Sequence, residues 1–149
     1  MKIGWRIIST FFGTGYFPIG PGTMASAVVV LLYKFLLSDL SWPLYLLIII
    51  VLFIVGGIAA TKYSSALQQK DPRKIVIDEV CGQLCTLFLV PSSWPLLLLA
   101  FVLFRLFDII KPCPIKKLER IRDGWGIMAD DIMAAVYAGI PIHLYLLLR

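Results

Sequence analysis

The stretch that decides the interpretation of this chain is 104–131, FRLFDIIKPCPIKKLERIRDGWGIMADD. It contains the end of one apolar segment, a basic loop and the start of the next apolar segment. Asp108 lies before the loop, and Asp130 and Asp131 lie after it. An ionised carboxylate in a lipid-exposed helix costs roughly 2.5–3.5 kcal/mol on insertion scales, so such residues usually face a protein interior. These three acids therefore predict a polar site inside a bundle.

A second acidic pair, Asp78 and Glu79 in the preceding apolar segment, lies at the same predicted depth. The acids at this level are Asp78, Glu79, Asp108, Asp130 and Asp131. Asp78 follows Lys74 by four residues, which is about 6 Å along a helix. Asp108 precedes Lys111 by three residues, and the last pair follows Trp125 by five and six. The sequence thus places five carboxylates from three helices at one end of the bundle.

Small residues share the helix faces of these acids. Helical spacing from Asp131 leads to Ala134, Ala135, Ala138 and Gly139, and from Asp78 to Cys81, Gly82, Cys85 and Thr86. Small residues at this spacing are typical of close helix contact in membranes. We therefore expect the acids to face one another rather than lipid.

The charges in this cluster favour a bound cation. Five carboxylates against Arg105 and Lys111 leave excess negative charge, which needs protons or a cation. Ligands that are all oxygen favour a hard ion such as Mg²⁺, and Arg105 and Lys111 suit a phosphate group. The alternative is structural: an Arg105–Asp108 ion pair, with the other acids capping helices near the interface.

A second motif, GTGYFPIGPGT at 13–23, precedes an apolar segment. Thr23 is predicted as the N-cap of a helix over 24–37. A glycine-rich loop before a helix start presents free N–H groups to an anion. This predicts further phosphate contacts from Thr14, Gly15, Gly20, Gly22 and Thr23. The alternative is a simple turn between two helices.

Composition places the whole chain in a membrane. It has 149 residues, of which 60% are hydrophobic, against about 45–50% in globular chains. The sequence predicts one domain, 1–149, as an all-α polytopic membrane helical bundle. It would have an N-terminal interfacial helix, a Gly/Pro-rich re-entrant loop and about five apolar helices, at 24–37, 44–61, 75–90, 96–110 and 127–148.

The basic loops predict the orientation of the bundle. Loops 62–74 and 111–122 fall on one side if each apolar segment crosses once, and Lys2 and Arg6 fall there too. Short basic loops stay in the cytoplasm. The acidic site would then face the cytoplasm from a multi-pass protein, and a homo-oligomer is compatible with this topology.

Four blocks, GTGYFPIGPGT, IVIDEVCGQ, FRLFDIIKPCPI and DGWGIMADDIMAAVYAG, together resemble the phosphatidylglycerophosphatase A family. The likeness runs in order from about Gly13 to Gly139. It implies a Mg²⁺-dependent lipid phosphatase of the bacterial inner membrane, which converts phosphatidylglycerophosphate to phosphatidylglycerol. On the matching positions, Asp78, Glu79, Asp108, Asp130 and Asp131 would form the acidic site, and Arg105 and Lys111 would contact phosphate. The resemblance does not say which acid binds metal and which activates the nucleophile, and an aspartyl-phosphate intermediate stays open.

Three other classes of protein would also place acids in a membrane. A cation transporter is disfavoured because the outer halves of the segments are almost purely apolar. A CDP-alcohol phosphotransferase-like enzyme would need a D-x2-D-G-x2-A-R pattern, which DGWGIMADD does not match. A non-catalytic membrane subunit would tolerate loss of one acid.

Overall fold

Regular structure in this protein is helical throughout the part of the chain that the computed structural model describes, residues 3–69, 72–118, 121 and 123–148. The helices are α1 (Ile3–Ser9), α2 (Pro21–Leu32), α3 (Trp42–Leu67), α4 (Ile77–Thr86), α5 (Trp94–Ile110), α6 (Ile115–Leu118) and α7 (Gly124–Leu148). A 3-10 turn covers Thr14–Tyr16, and a π-helical turn at Tyr33–Leu37 continues α2. The prediction of an all-α fold is confirmed.

Two helices, α3 and α7, are long and apolar enough to cross a membrane. They have 26 and 25 residues, with mean hydropathies of 2.8 and 1.6 in their most apolar windows, and a crossing needs about 20 residues. Only about a third of each window is buried in the protein, 33% and 28%, which leaves an apolar outer surface. The full set of five spans, like the re-entrant loop, stays a prediction.

The third predicted span is the shortest of the helices that carry acids. Helix α4 has 10 residues, about 15 Å at 1.5 Å per residue, and it packs against α2, α3, α5 and α7. It ends at Thr86 rather than continuing to residue 90, because Leu89 has a positive φ of 59° and Pro91 disfavours helix at the residue before it. Helix α4 is therefore the interior helix of the bundle.

Close packing brings the acid-bearing helices together at Gly82 of α4. A Cβ added to Gly82 would lie 2.6 Å from the Phe104 ring and 3.0 Å from the Asp131 carbonyl oxygen. Helices α5 and α7 therefore both approach α4 more closely than a larger residue would allow. On α7, the predicted small-residue face is buried at Ala134, Ala135 and Ala138.

The start of α2 differs from the sequence-based prediction. Thr23 is not the N-cap, because the helix begins at Pro21 and the capping position is Gly20, in the left-handed conformation with φ 61°. Proline suits the first helical turn because its φ is fixed and its missing N–H needs no partner there. Glycine adopts the left-handed conformation without steric cost.

The predicted orientation depends partly on residues that lie outside the described ranges. These are Lys2, Lys70, Asp71, Glu119, Arg120 and Arg122. The described basic residues Arg73, Lys74 and Lys111 lie at the same end of the bundle as the acids. The orientation itself stays a prediction.

Candidate active site

A cavity of about 380 Å³ lies where the first turns of α2, α4 and α7 meet the last turn of α5. Among the described residues it is lined by Gly20, Pro21, Gly22, Arg73, Ile75, Asp78, Glu79, Arg105, Asp108, Lys111, Asp123, Ile127, Asp130 and Asp131. All five acids predicted from the sequence are in this lining, with Arg105, Lys111, Gly20 and Gly22. Six carboxylates and three cationic side chains are thus present among the described residues of the lining.

Helix α4 supplies two of the acids from its first turn, Asp78 and Glu79. The residue before the helix, Val76, donates its backbone N–H to the Ser9 carbonyl oxygen at 2.9 Å. This bond fixes the start of α4 against the end of α1. Negative charge in the first turn also suits the positive end of the helix dipole.

Helix α5 supplies an ion pair that belongs to the cavity. Arg105 and Asp108 are three residues apart and share a helix face. The Arg105 Nη1 atom lies 2.7 Å from Asp108 Oδ2 and 3.8 Å from Glu79 Oε1. The ion pair that the sequence allowed as a structural feature is therefore present, and it also reaches an acid of α4.

Helix α7 supplies Asp130 and Asp131, both of which are buried. Lys111 ends α5 in the left-handed conformation, with φ 46°, and its Nζ lies 2.6 Å from Asp130 Oδ2. The backbone N–H of Asp131 donates to Asp130 Oδ1 at 3.1 Å. Lys111, the first cation of the basic loop, therefore pairs with an acid near the start of the next helix, α7.

Three of the acids are close enough to share a cation. Asp78, Glu79 and Asp131 each offer a carboxylate oxygen, and these oxygens lie within 4.8 Å of one another. We call these three residues the carboxylate trio. Glu79 Oε2 and Asp131 Oδ2 are buried and have no hydrogen-bond partner among the described residues. Oxygen ligands in this arrangement fit a hard divalent cation.

The other two acids form a second group. Asp108 contacts Arg105 and Asp130 contacts Lys111. We call these four residues the paired group. The five acids, which the sequence predicted as one set of metal ligands, thus comprise a trio whose oxygens lie within 4.8 Å of one another and two members in short ion pairs. Glu79 of the trio also lies 3.8 Å from Arg105.

The glycine-rich loop contributes to the cavity through only part of its predicted residues. A Cβ on Gly22 would lie 1.8 Å from Glu79 Oε1, so this glycine lets α2 touch the trio. Among the described residues, Thr14, Gly15 and Thr23 lie outside the lining. The Thr14 hydroxyl donates to the Thr10 and Phe11 carbonyl oxygens instead.

Sequence reasoning missed two charged residues of the lining, Arg73 and Asp123. Arg73 is one of four cations in loop 62–74, and composition alone does not indicate which of them turns inward. Asp123 directly precedes α7, so its position before a helix with two acids was the available signal.

The single histidine of the chain lies outside this cavity. His143 has its Nε2 atom 3.0 Å from the Phe88 carbonyl oxygen and its Nδ1 atom 2.9 Å from that of Gly139. Both contacts are to backbone, one within α7 itself and the other just beyond the end of α4 that is remote from Asp78. The chemistry of the cavity therefore depends on carboxylates and cations.

Comparison with known proteins gives one family over most of the chain. The family described as phosphatidylglycerophosphatase A matches residues 7–146. A Bacteroides thetaiotaomicron protein named "Putative phosphatidylinositol-3-phosphatase" is 38% identical, covering 91% of this chain and 89% of that protein. The proteins named phosphatidylglycerophosphatase A from Haemophilus influenzae (38% identical; 92% and 85% covered) and Escherichia coli K12 (36%; 94% and 83%) are similar too. No solved structure matches the chain.

Proposed function

Because the chain belongs to the phosphatidylglycerophosphatase A family, we propose that it hydrolyses the terminal phosphate of phosphatidylglycerophosphate, giving phosphatidylglycerol and phosphate. The observation that carries this proposal is the cavity itself, in which the carboxylate trio lies beside Arg105 and Lys111. Phosphoryl transfer depends mostly on positioning and on stabilisation of charge. A cation site next to two cationic side chains could both position the phosphoryl group and stabilise its negative charge.

The substrate has a second candidate, because one relative is named for a different lipid. Phosphatidylinositol 3-phosphate shares the relevant chemistry, a phosphate monoester on a phospholipid headgroup. Two relatives and the family description favour phosphatidylglycerophosphate. We therefore take it as the first candidate and the inositol lipid as the second.

Mg²⁺ is the cation that we propose for the trio. Asp78, Glu79 and Asp131 would hold it, since each offers a carboxylate oxygen within 4.8 Å of the others. Glu79 and Asp131 also each have a buried oxygen without a hydrogen-bond partner among the described residues. Mg²⁺ is commonly bound by few carboxylates together with water and phosphate oxygens. When bound, it supplies polarisation of the phosphoryl oxygens.

Side chains of the protein would stabilise the phosphoryl charge and transfer the protons. Arg105 and Lys111, oriented by Asp108 and Asp130, offset the charge of the phosphoryl group. A cavity carboxylate accepts the proton of the attacking water as the new phosphorus–oxygen bond forms. The bond to the glycerol oxygen breaks, and the protonated carboxylic acid returns its proton to that oxygen, which restores the carboxylate. Direct attack by a carboxylate is the alternative, and an acid-stable, hydroxylamine-sensitive ³²P label on the protein would establish it.

The membrane placement that we propose is a multi-pass protein of the bacterial inner membrane, with the cavity at the cytoplasmic face. Its support is the apolar outer surface of α3 and α7 and the basic residues beside the cavity, since short basic loops favour the cytoplasm. The acyl chains of the substrate would stay in the bilayer while the headgroup enters the cavity.

Cys113 provides a test of this orientation, because it is exposed in the loop after α5. A membrane-impermeant maleimide should label it in inside-out vesicles and not in intact spheroplasts. The variant Cys113→Ser should lose the label, which assigns the signal to this site. Labelling in intact spheroplasts would reverse the proposed orientation.

The reaction is tested by phosphate release from purified protein in mixed micelles. The substrates are phosphatidylglycerophosphate, phosphatidylinositol 3-phosphate and phosphatidic acid, each with Mg²⁺ and with EDTA. We expect the fastest release from phosphatidylglycerophosphate and its loss with EDTA. Faster release from the inositol lipid would favour the second candidate, and no release from any lipid would refute a phosphatase.

A further inference from the structure

We propose that Arg73 forms a second anion subsite at the rim of the cavity, which binds the phosphodiester of a substrate whose headgroup carries two phosphates. This inference rests on the proposed function, since it requires that the cavity accepts the terminal phosphate monoester. It adds a residue that determines specificity, because lipids with one phosphate have no group to place there.

Charge pairing distinguishes Arg73 from the other cations of the cavity. Arg105 is bound to Asp108 and Lys111 to Asp130, at 2.7 and 2.6 Å. Arg73 lines the same cavity, and among the described residues it takes part in no ion pair. Its guanidinium is thus the cationic group of this lining that is not already committed to a carboxylate of the described chain. A guanidinium binds phosphate oxygens in bidentate fashion.

The backbone beneath Arg73 is fixed on both sides. The Ile75 N–H donates to the Pro72 carbonyl oxygen at 2.8 Å, and the Val76 N–H donates to the Ser9 carbonyl oxygen at 2.9 Å. A Cβ on Gly15 would lie 2.1 Å from the Lys74 carbonyl oxygen, so the loop after α1 packs directly on this segment. Arg73 therefore extends from a held backbone, although its side chain is exposed.

The neighbouring cation, Lys74, has a different environment. Its Nζ atom lies 5.4 Å from the centre of the Tyr16 ring, and it is not among the described residues of the lining. The two adjacent cations therefore separate into one at the cavity and one on an aromatic ring. This gives a matched control in the same loop with the same charge.

The size of the cavity allows a second group. Its volume of about 380 Å³ equals the share of roughly a dozen waters at about 30 Å³ each. A phosphate has five non-hydrogen atoms, so a terminal phosphate bound beside the trio and the paired group would fill only part of this space. Arg73, on the loop before α4, lies at the exposed margin of the cavity, where it can meet a second group of the same headgroup.

Steady-state kinetics in mixed micelles test this subsite with Arg73→Gln, Arg73→Lys and Lys74→Gln. For phosphatidylglycerophosphate, we expect Arg73→Gln to raise KM about tenfold, as for loss of a charge-assisted hydrogen bond, with kcat within twofold. Arg73→Lys should retain part of the affinity, and Lys74→Gln should change KM less than twofold. Melting temperatures in detergent should match the wild type for all three variants.

Two inhibitors distinguish specific binding of the phosphodiester at Arg73 from nonspecific attraction of anions to its positive charge. Phosphatidylglycerol carries the phosphodiester alone, and inorganic phosphate carries none. Arg73→Gln should raise the inhibition constant of phosphatidylglycerol about tenfold and leave that of inorganic phosphate unchanged. Equal changes for both inhibitors, an equal KM rise in Lys74→Gln, or wild-type enzyme that phosphatidylglycerol does not inhibit would overturn the subsite. Wild-type protein that releases no phosphate would instead refute the proposed function.

Discussion

The carboxylate trio and the paired group lie in one cavity but differ in how closely their carboxylates approach a cationic side chain. In the paired group each acid has a cation within 2.7 Å, so its charge is balanced by the chain itself. In the trio, carboxylate oxygens from α4 and α7 lie within 4.8 Å of one another, and Arg105 Nη1 approaches Glu79 Oε1 only to 3.8 Å, so the like charges there favour a bound proton or cation. This difference supports our proposal that the trio binds a cation while the paired group holds Arg105 and Lys111 in place.

The largest effect that would separate the two groups is expected from Asp131→Asn. The amide keeps the shape of the side chain but removes a charged ligand, and loss of metal catalysis worth several kcal/mol corresponds to a fall in kcat on the order of 10²–10³-fold. Phosphate release from protein reconstituted with Mg²⁺ measures this, with membrane fractionation to show insertion. Activity within threefold of the wild type would remove the trio as a shared site.

The matched control for this variant is Asp130→Asn, in the adjacent residue of the paired group. It removes the buried carboxylate that lies 2.6 Å from Nζ of the partly exposed Lys111, and loss of a hydrogen bond to a charged group costs about 1.5–3 kcal/mol. In EDTA we expect Asp130→Asn to lower the melting temperature and Asp131→Asn to leave it unchanged or raise it. The same downward shift in both variants would show that the two groups do not differ electrostatically.

A smaller effect is expected from Gly22→Ala, which tests how closely α2 approaches the trio. The added Cβ would meet Glu79 Oε1 at 1.8 Å, so the carboxylate must move, and a displacement of about 1 Å can cost up to about 10²-fold in rate. We expect kcat/KM to fall by between about tenfold and 10²-fold, measured by phosphate release.

The control next to it is Thr23→Ala, which should change kcat/KM less than twofold. Thr23 is exposed and lies outside the described lining of the cavity. The sequence motif nevertheless predicts a phosphate contact there. A large loss of activity in Thr23→Ala would therefore restore that prediction and show that the loop closes over the substrate.

The depth of the acids in the bundle could be predicted from the sequence. It follows from the number of residues between each acid and the end of its apolar segment, multiplied by the rise per residue of a helix. Asp78, Asp108 and Asp131 each follow or precede a basic loop by a few residues, and the structure places all three in one cavity. The Arg105–Asp108 pair could also be predicted, because the two residues are three apart on one helix, but the pairing of Asp130 with Lys111 could not. It depends on the left-handed turn at Lys111, which no local pattern required.

The other differences have equally local causes. Thr23 fits the usual N-cap preference, yet Pro21 begins the helix earlier because proline is already set for the first turn. The approach of Gly22 to Glu79 joins residues that are 57 positions apart, so it exists only in the folded protein. The position of Arg73 in the cavity lining also depends on the folded structure, so the sequence did not distinguish it from the other cations of its loop.

Helix α1 contributes no described residue to the cavity lining, yet the site depends on it. The Ser9 carbonyl oxygen accepts the N–H of Val76, two residues before Asp78. A buried N–H without an acceptor costs about 1–3 kcal/mol, a sizeable part of the 5–15 kcal/mol that hold a typical domain folded. Loss of α1 would therefore destabilise the segment that carries Asp78 and Glu79, so α1 supports these acids although it adds no described residue to the cavity lining.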